Sequence, residues 1–448
     1  MTQTHRVVVL AATCLLQAAC SRPDATETTP AITIWWAQWT PADGLAELGR
    51  DFEAENGIAV KVQQIPWAEY QTKVFQEFGS RTTSFDIVVG DSQWLGRGAT
   101  RGLYLDLTDW LPGAVDLDAI HLRAVKFLCE YPSGSGRYYA APCQTDATGF
   151  MYRKDWFQDP VEKAAFEARY GRPLEVPATW TQLAEVAEFF TRPDQKRYGL
   201  ALLTGRGYDS LTMGFQQIMW AFGGSWGDPD TFTIEGHLNS PSSVEALSFM
   251  IELVRKFAPP GGVNVDYGRC VELLTNGSCA MSCNYFAFAP GIQEAMGRKV
   301  GFFPIPMHNG QRYVSLGGQG FSISTKVSPN QQELAKRFIA WFNRVETQKQ
   351  WITKPAGFTA HEGILRSAEF TAATAYNGPF AESLDSMQDF WNVPVYNKLL
   401  AAAQQHLGAA LDGHTPATEA LNAIATEHTR IMRDAGFGTQ PADVAGAG

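Results

Sequence analysis

Residues 31–91 read AITIWWAQWTPADGLAELGRDFEAENGIAVKVQQIPWAEYQTKVFQEFGSRTTSFDIVVGD. Residues 32–36 are a short apolar run rich in β-formers. Residues 43–56 carry Leu45, Leu48 and Phe52 at helical spacing and stop at Gly57. Residues 58–65 alternate as a strand, 67–78 predict a helix, and 85–89 form a buried-type strand ending at Gly90 and Asp91. The order β-α-β-α-β predicts a parallel sheet with helices on its faces. Right-handed crossovers bring the strand ends to one rim, where such sheets bind ligands. The segments just after each strand are therefore the first candidates for a site: Ala37-Gln38-Trp39, Pro66-Trp67 and Asp91-Ser92-Gln93-Trp94.

A second α/β pattern starts near residues 149–152. Helices are expected over 180–190, 209–222 and 242–257, and strands over 278–283, 300–303 and 320–324. The stretch from Pro304 to Gly320 reads as loop, and the chain from Asn330 onward as mainly helical. At 448 residues the chain is too long for one compact core, so two lobes are expected. With 45% hydrophobic and 18% charged residues it is ordinary globular protein rather than disordered. A formal net charge of -10, with no dense basic stretch, argues against nucleic acid. The 13 Trp, 14 Tyr and 27 Phe offer faces for a ligand with C–H surface, although core packing alone accounts for any single one.

The N-terminus carries its own signal. His5 and Arg6 precede an apolar run too short to span a bilayer, followed by Ala18-Ala19-Cys20. Residues 1–19 are expected to be a secretory signal. Cys20 resembles the cysteine of a bacterial lipobox, which is lipidated and becomes the mature N-terminus, although Gln17 stands where that motif favours Leu. Simple cleavage is the alternative. Residues 20–30 then form a tether, and the protein is membrane-associated only through its lipid. Of 7 Cys, Cys14 leaves with the signal and Cys20 is the anchor, so 7 − 2 = 5 remain. Cys129 and Cys143 can pair in an oxidising compartment, as can two of Cys270, Cys279 and Cys283. These spacings do not form a metal-ligand set.

Enzyme signatures are missing: there is no G-x-x-x-x-G-K-[ST], H-E-x-x-H or G-x-S-x-G. Gly317-Gly318-Gln319-Gly320 lacks dinucleotide-binding spacing. A carboxylate pair for glycoside hydrolysis need not be adjacent in the chain, so a secreted carbohydrate-active enzyme stays open as an alternative.

Several stretches, in order over most of the chain, resemble the extracellular solute-binding proteins of bacterial ABC sugar importers, the maltose-binding-protein-like family. They are 32–36 with 45–60, 85–89, 138–142 with 150–157, 220–224, 275–281, and 317–324 with 335–342. The resemblance implies a two-lobe α/β periplasmic-binding-protein fold, with crossing hinge strands and a ligand cleft between the lobes. It implies lobe I from 31–142 and 299–329, lobe II from 143–298 and 330–438, and a disordered tail over 439–448. It also implies a monomeric periplasmic receptor that captures a sugar or polyol by lobe closure and delivers it to the membrane permease subunits, with no metal or organic cofactor.

Sugar hydroxyls donate and accept at once, so carboxylates and planar amides suit them, and ring C–H faces pack on aromatics. On the family's pattern Asp146, four residues after Pro142, is the first candidate ligand carboxylate, with hinge capping as its alternative. Asp91, Gln93 and Trp94 follow the third strand, and Gln38 and Trp39 the first. Asn284 and Tyr285 follow the strand at 280–283. Trp226 and Trp391 are candidate stacking residues, and Gly317 and Gly318 allow either close approach or a tight turn. A phosphorylated polyol is the second reading. It requires Arg or Lys in the cleft, and the post-strand segments are nearly free of both.

Overall fold

The computed structural model of the protein describes residues 29–438. The expected signal, most of the tether with Cys20, and the expected tail at 439–448 lie outside the described residues.

The opening motif folds as its pattern predicts. Strand β1 (Ala31–Ala37) lies parallel to β2 (Ala59–Ile65) on one side and β3 (Ile87–Asp91) on the other. Ile32, Ile34 and Trp36 are fully buried and Trp35 nearly so, because a central parallel strand is covered on both faces. The helix Thr40–Asn56 buries Leu45, Leu48 and Phe52 and ends at Gly57. Gly57 adopts φ 66°, and its N–H donates to the Glu53 carbonyl, which satisfies a helix-end group that a side chain there would strain.

The remaining strands are β4 (Ala141–Arg153), β5 (Tyr198–Ala201), β6 (Cys279–Tyr285), β7 (Val300–Pro304), β8 (Val314–Ile323) and β9 (Met387–Gln388). The sheet order is β2-β1-β3-β8-β4-β6-β5, with β7 on β4 and β9 on β8. Two long strands carry the chain between lobes. Residues 141–147 of β4 pair antiparallel with β8, and residues 148–153 pair with β6 and β7. The other end of β8 pairs with β3. The pairing slips at Pro142/Gln144, where proline has no N–H to give the ladder.

Two apolar cores result, one under β1–β3 and one under β4–β7. They redraw the expected boundaries in three places. The helix Pro329–Phe342 packs Phe338, Ile339, Trp341 and Phe342, with Trp351 beyond it, into the first core rather than the second. The helix Leu122–Leu128 buries Ala124, Val125 and Leu128 in the second core rather than the first. Strand β7 also belongs to the second core, because its partner is the far half of β4. The stretch read as loop before Gly320 is strand from Val314, its Gly317-Gly318 pair being taken up in the β4–β8 ladder. The helix Trp180–Phe190 falls where expected, fixed by a capping box between Thr179 and Gln182. The cysteine pairings do not form: Cys129, Cys143, Cys270, Cys279 and Cys283 are all free and buried.

Candidate ligand-binding site

A cavity of about 700 Å³ lies between the lobes, beyond the carboxyl ends of β1, β2 and β3. The first lobe contributes Gln38 and Trp39 after β1, Trp67 after β2, and Asp91, Ser92 and Gln93 at the end of β3. The crossing strands supply Asp146 and residues 316–319. The second lobe supplies Tyr208 and Asp209 from the turn before the helix Ser210–Ala221, Asp266 and Tyr267 at the start of the helix Tyr267–Thr275, Tyr285 at the end of β6 and Phe288 just after it.

The rings form two facing walls. Trp39 and Trp67 sit 5.9 Å apart on the first lobe. Opposite them Tyr267 lies 5.7 Å from Tyr285 and stacks at 6.1 Å on Phe288. Tyr208 reaches from the second lobe to the first. Its hydroxyl lies 2.9 Å from Asp91 Oδ2 and 3.3 Å from Gln93 Oε1 as donor, and accepts from Trp94 Nε1 at 3.0 Å. Gln319 Nε2 donates to the other Asp91 oxygen at 2.9 Å. The Gly96 N–H also donates across the cleft, to Asn392 Oδ1 at 3.1 Å, so the lobes touch. Tyr208 adopts φ 51°, a conformation costly for a ring-bearing residue and maintained only when surrounding contacts over-determine it. Here the contacts are those three partners and Gln404, whose amide donates to the Tyr208 carbonyl.

Asp146 is buried at the floor. It accepts from the Ala147 N–H at 2.8 Å and from the Ala287 N–H at 3.2 and 3.3 Å. It therefore ties β4 to the turn after β6. Asn284 holds the neighbouring wall: its Nδ2 donates to the Tyr267 carbonyl and its Oδ1 accepts from the Tyr285 N–H, both at 2.9 Å. Gly317 has no side chain because a Cβ there would lie 2.6 Å from the Tyr285 ring. Gly318, at φ 96°, would drive a Cβ into the Gln144 carbonyl. Tight backbone and close approach thus both apply to this pair.

Among the described residues no Lys, Arg or His lines the cavity. Burial raises the carboxyl of Asp91 to about 6, of Asp209 to about 7 and of Asp146 to about 8. Hydrogen bonds from Gln319 and Tyr208 to Asp91, and from Tyr267 to Asp209, oppose that shift. Among the described residues no group of His, Cys, Asp and Glu is placed to hold a metal ion, and no helix is long and apolar enough to cross a membrane.

The cavity thus gathers Gln38, Trp39, Asp91, Gln93, Asp146, Tyr285, Gly317 and Gly318 from the expected residues, and leaves four others behind its wall. Trp94 packs on Tyr70 and Phe75 in the first core. Trp226 is buried against Phe390 with its Nε1 on Gln216. Trp391 packs on Phe232, and Asn284 positions two tyrosines instead of facing the cavity. Each of these side chains is drawn into a core or backbone contact that local sequence does not reveal. The sequence reading missed Tyr208, Asp209, Tyr267 and Phe288. The available signal was the glycine pair Gly205 and Gly207 before a helix start, after the overlooked strand β5.

Residues 36–349 match the family described as bacterial extracellular solute-binding protein. The mannitol-binding protein of Pseudomonas aeruginosa is 23% identical over 326 residues, covering 68% of this chain and 72% of that protein. Among solved structures, an ABC transporter solute-binding protein from Agrobacterium radiobacter K84 in complex with ribitol is 26% identical, with a TM-score of 0.76 over 90% of this chain and 98% of that one. Maltose-bound T. maritima MalE3 is 23% identical, with a TM-score of 0.75 over 90% and 99% of the two chains, and shares the fold.

Proposed function

The chain belongs to the bacterial extracellular solute-binding protein family, and on that premise we propose that it captures a polyol or small sugar between its lobes and delivers it to the permease of an ABC importer. One observation carries the reading: the cavity between the lobes combines two aromatic walls with Gln38, Asp91, Gln93, Asp146 and Gln319 and, among the described residues, has no basic one. Aromatic faces suit C–H surface, and carboxylates and amides suit paired hydroxyls. A phosphorylated polyol would bring its dianion against Asp91, Asp146 and Asp209 with no cation to receive it. The mannitol- and ribitol-binding relatives support a polyol first.

The test is a thermal-shift and calorimetric panel of ribitol, mannitol, maltose and a hexitol phosphate. A specific ligand at 100 times its Kd stabilises the folded protein by about 2.7 kcal/mol, a clear rise in melting temperature. No response to any neutral member would sink the proposal, and turnover of a chromogenic glycoside would favour the enzyme reading instead.

Under the same proposal the protein works as a monomer outside the cytoplasm, held to the membrane by a lipid on Cys20. The sequence Ala18-Ala19-Cys20 after a short apolar run supports that anchor. Cys20→Ala should release the protein in soluble form, and failure of labelled palmitate to enter the wild-type chain would remove the lipid.

A further inference from the structure

The lobes meet at a second place, outside the ligand cavity. Residues 389–397 run as a strap along the second lobe and into the helix Tyr396–Asp412. Phe390, Trp391, Val393 and Tyr396 anchor the strap in the second core. Its polar side chains meet the first lobe instead. Asn392 Oδ1 accepts from the Gly96 N–H at 3.1 Å, and Asn397 Oδ1 accepts from Gln71 Nε2 at 3.2 Å. The Asp389 carboxyl lies beside the Ser92 hydroxyl. Neither residues 389–397 nor Gln71 and Gly96 line the cavity.

The strap and the turn that carries Tyr208 form one unit. Gln404, on the helix that continues the strap, donates to the Tyr208 carbonyl. Arg206 reaches the same helix, at the Gly408 carbonyl (3.3 Å) and Asp412 (2.6 Å). Both arms grip one short segment of the first lobe. Tyr208 takes Asp91, Gln93 and Trp94 from the cavity side, and the strap takes Ser92 and Gly96 from outside it.

Gly96 shows how close this grip is. A Cβ there would stand 2.8 Å from the Val393 carbonyl carbon and 3.0 Å from the Pro394 nitrogen. Both are backbone atoms, which cannot turn aside as the tip of a side chain can. Gly96 lies inside the helix Leu95–Thr100, where alanine is the better helix former. The missing side chain therefore serves the contact between lobes and not the helix.

We infer that the strap 389–397 is a clasp that fastens the closed lobes from outside the cavity, so that residues touching no ligand help to set ligand affinity. Contacts made only in the closed form raise its population, and a ligand that needs that form binds more tightly in proportion. The inference holds for whichever solute the cavity takes.

The test traps the clasp chemically. Gln71→Cys with Asn397→Cys, treated with a short bis-maleimide, should join the two lobes. The wild-type chain gives the background, since Cys129, Cys143, Cys270, Cys279 and Cys283 are buried. Adding Gly96→Ala to the pair should slow joining about tenfold, and adding Asn392→Ala about threefold. The melting temperature of ligand-free Gly96→Ala should be unchanged or higher. A pair that never joins, or that joins equally fast with Gly96→Ala, would overturn the inference. So would a Gly96→Ala protein that melts early or fails to fold, because the contact would then be a fixed brace of the fold. In calorimetric titration Gly96→Ala should bind mannitol about tenfold more weakly than the wild type. Equal affinities would overturn the clasp and leave the proposed function standing. Silence of mannitol in the wild type would count against the proposed ligand class, while the cross-linking still decides the clasp.

Discussion

Asp91 and Asp146 are both buried carboxyls in one cavity wall, yet they do opposite structural work. Asp146 accepts backbone N–H groups from Ala147 and Ala287, so it fastens a crossing strand to the second lobe whether or not the lobes meet. Asp91 accepts from Gln319 and from the Tyr208 hydroxyl, and the second of these exists only while the lobes touch. A carboxylate that satisfies backbone donors is a fixture of the fold. One that satisfies a side chain on the opposite lobe is part of the closing device. The sequence ranks Asp146 first as a ligand carboxylate; the geometry moves its main effect toward stability and puts Asp91 with Tyr208 at the centre of closure.

The largest effect that tests this contrast is on Asp146→Ala. It leaves the buried Ala147 and Ala287 N–H groups without their acceptor, so the ligand-free protein should lose about 2–3 kcal/mol by denaturant titration. A normal denaturation midpoint with greatly weakened ligand binding would return Asp146 to the role that the sequence suggests. Tyr208→Phe should act in the other way. Removing the hydroxyl breaks the bonds to Asp91, Gln93 and Trp94, so ligand affinity should fall about fivefold to tenfold, near 1 kcal/mol. The midpoint of the ligand-free protein should hardly move, because the open form hydrates Asp91. A lower midpoint with unchanged affinity would mean that Tyr208 braces a lobe and does not join the two.

A third effect is in pH. Burial raises the carboxyl of Asp146 to about 8, and its hydrogen-bond partners are backbone N–H groups of Ala147 and Ala287 rather than a side chain across the cleft. An acid with a raised folded value gives stability that is complete below its unfolded value near 4 and lost as pH rises through about 8. The melting temperature of the ligand-free protein should therefore fall by about 3 °C between pH 5 and pH 9. Asp146→Ala should flatten that slope, and an equal slope in the variant would assign the loss to other groups.

Much of this molecule is legible in its sequence. The first lobe's β-α-β-α-β order is local, since helical and strand spacing and a stop at Gly57 each fit within a few residues. That order also implies the rim where Gln38, Trp39, Asp91 and Gln93 line the cavity, because parallel strands end on one edge. The second lobe is harder to read. The crossing strand β8 carries a glycine-rich stretch and its partners β3 and β4 lie far away in sequence, and the second lobe's share of the wall comes from turns at 205–209 and 264–268.

What the sequence by itself determined is therefore the fold class, the opening β-α-β-α-β unit of the first lobe and the rim of strand ends that face the cleft. The tertiary structure alone decided which tryptophans face the ligand space, which carboxyl bridges the lobes, and where the long helix Pro329–Phe342 belongs. The physical reason is distance along the chain. Trp94 meets Tyr208 across 114 residues and Gln319 meets Asp91 across 228, and no local periodicity carries information over such spans. Trp39 and Trp94 each follow a strand of the same sheet, but Trp94 finds Tyr70 and Phe75 behind it while Trp39, edge-on to Trp36, lies with Trp67 beside the cavity. Packing against those distant partners, and not residue type, sets the direction of each ring.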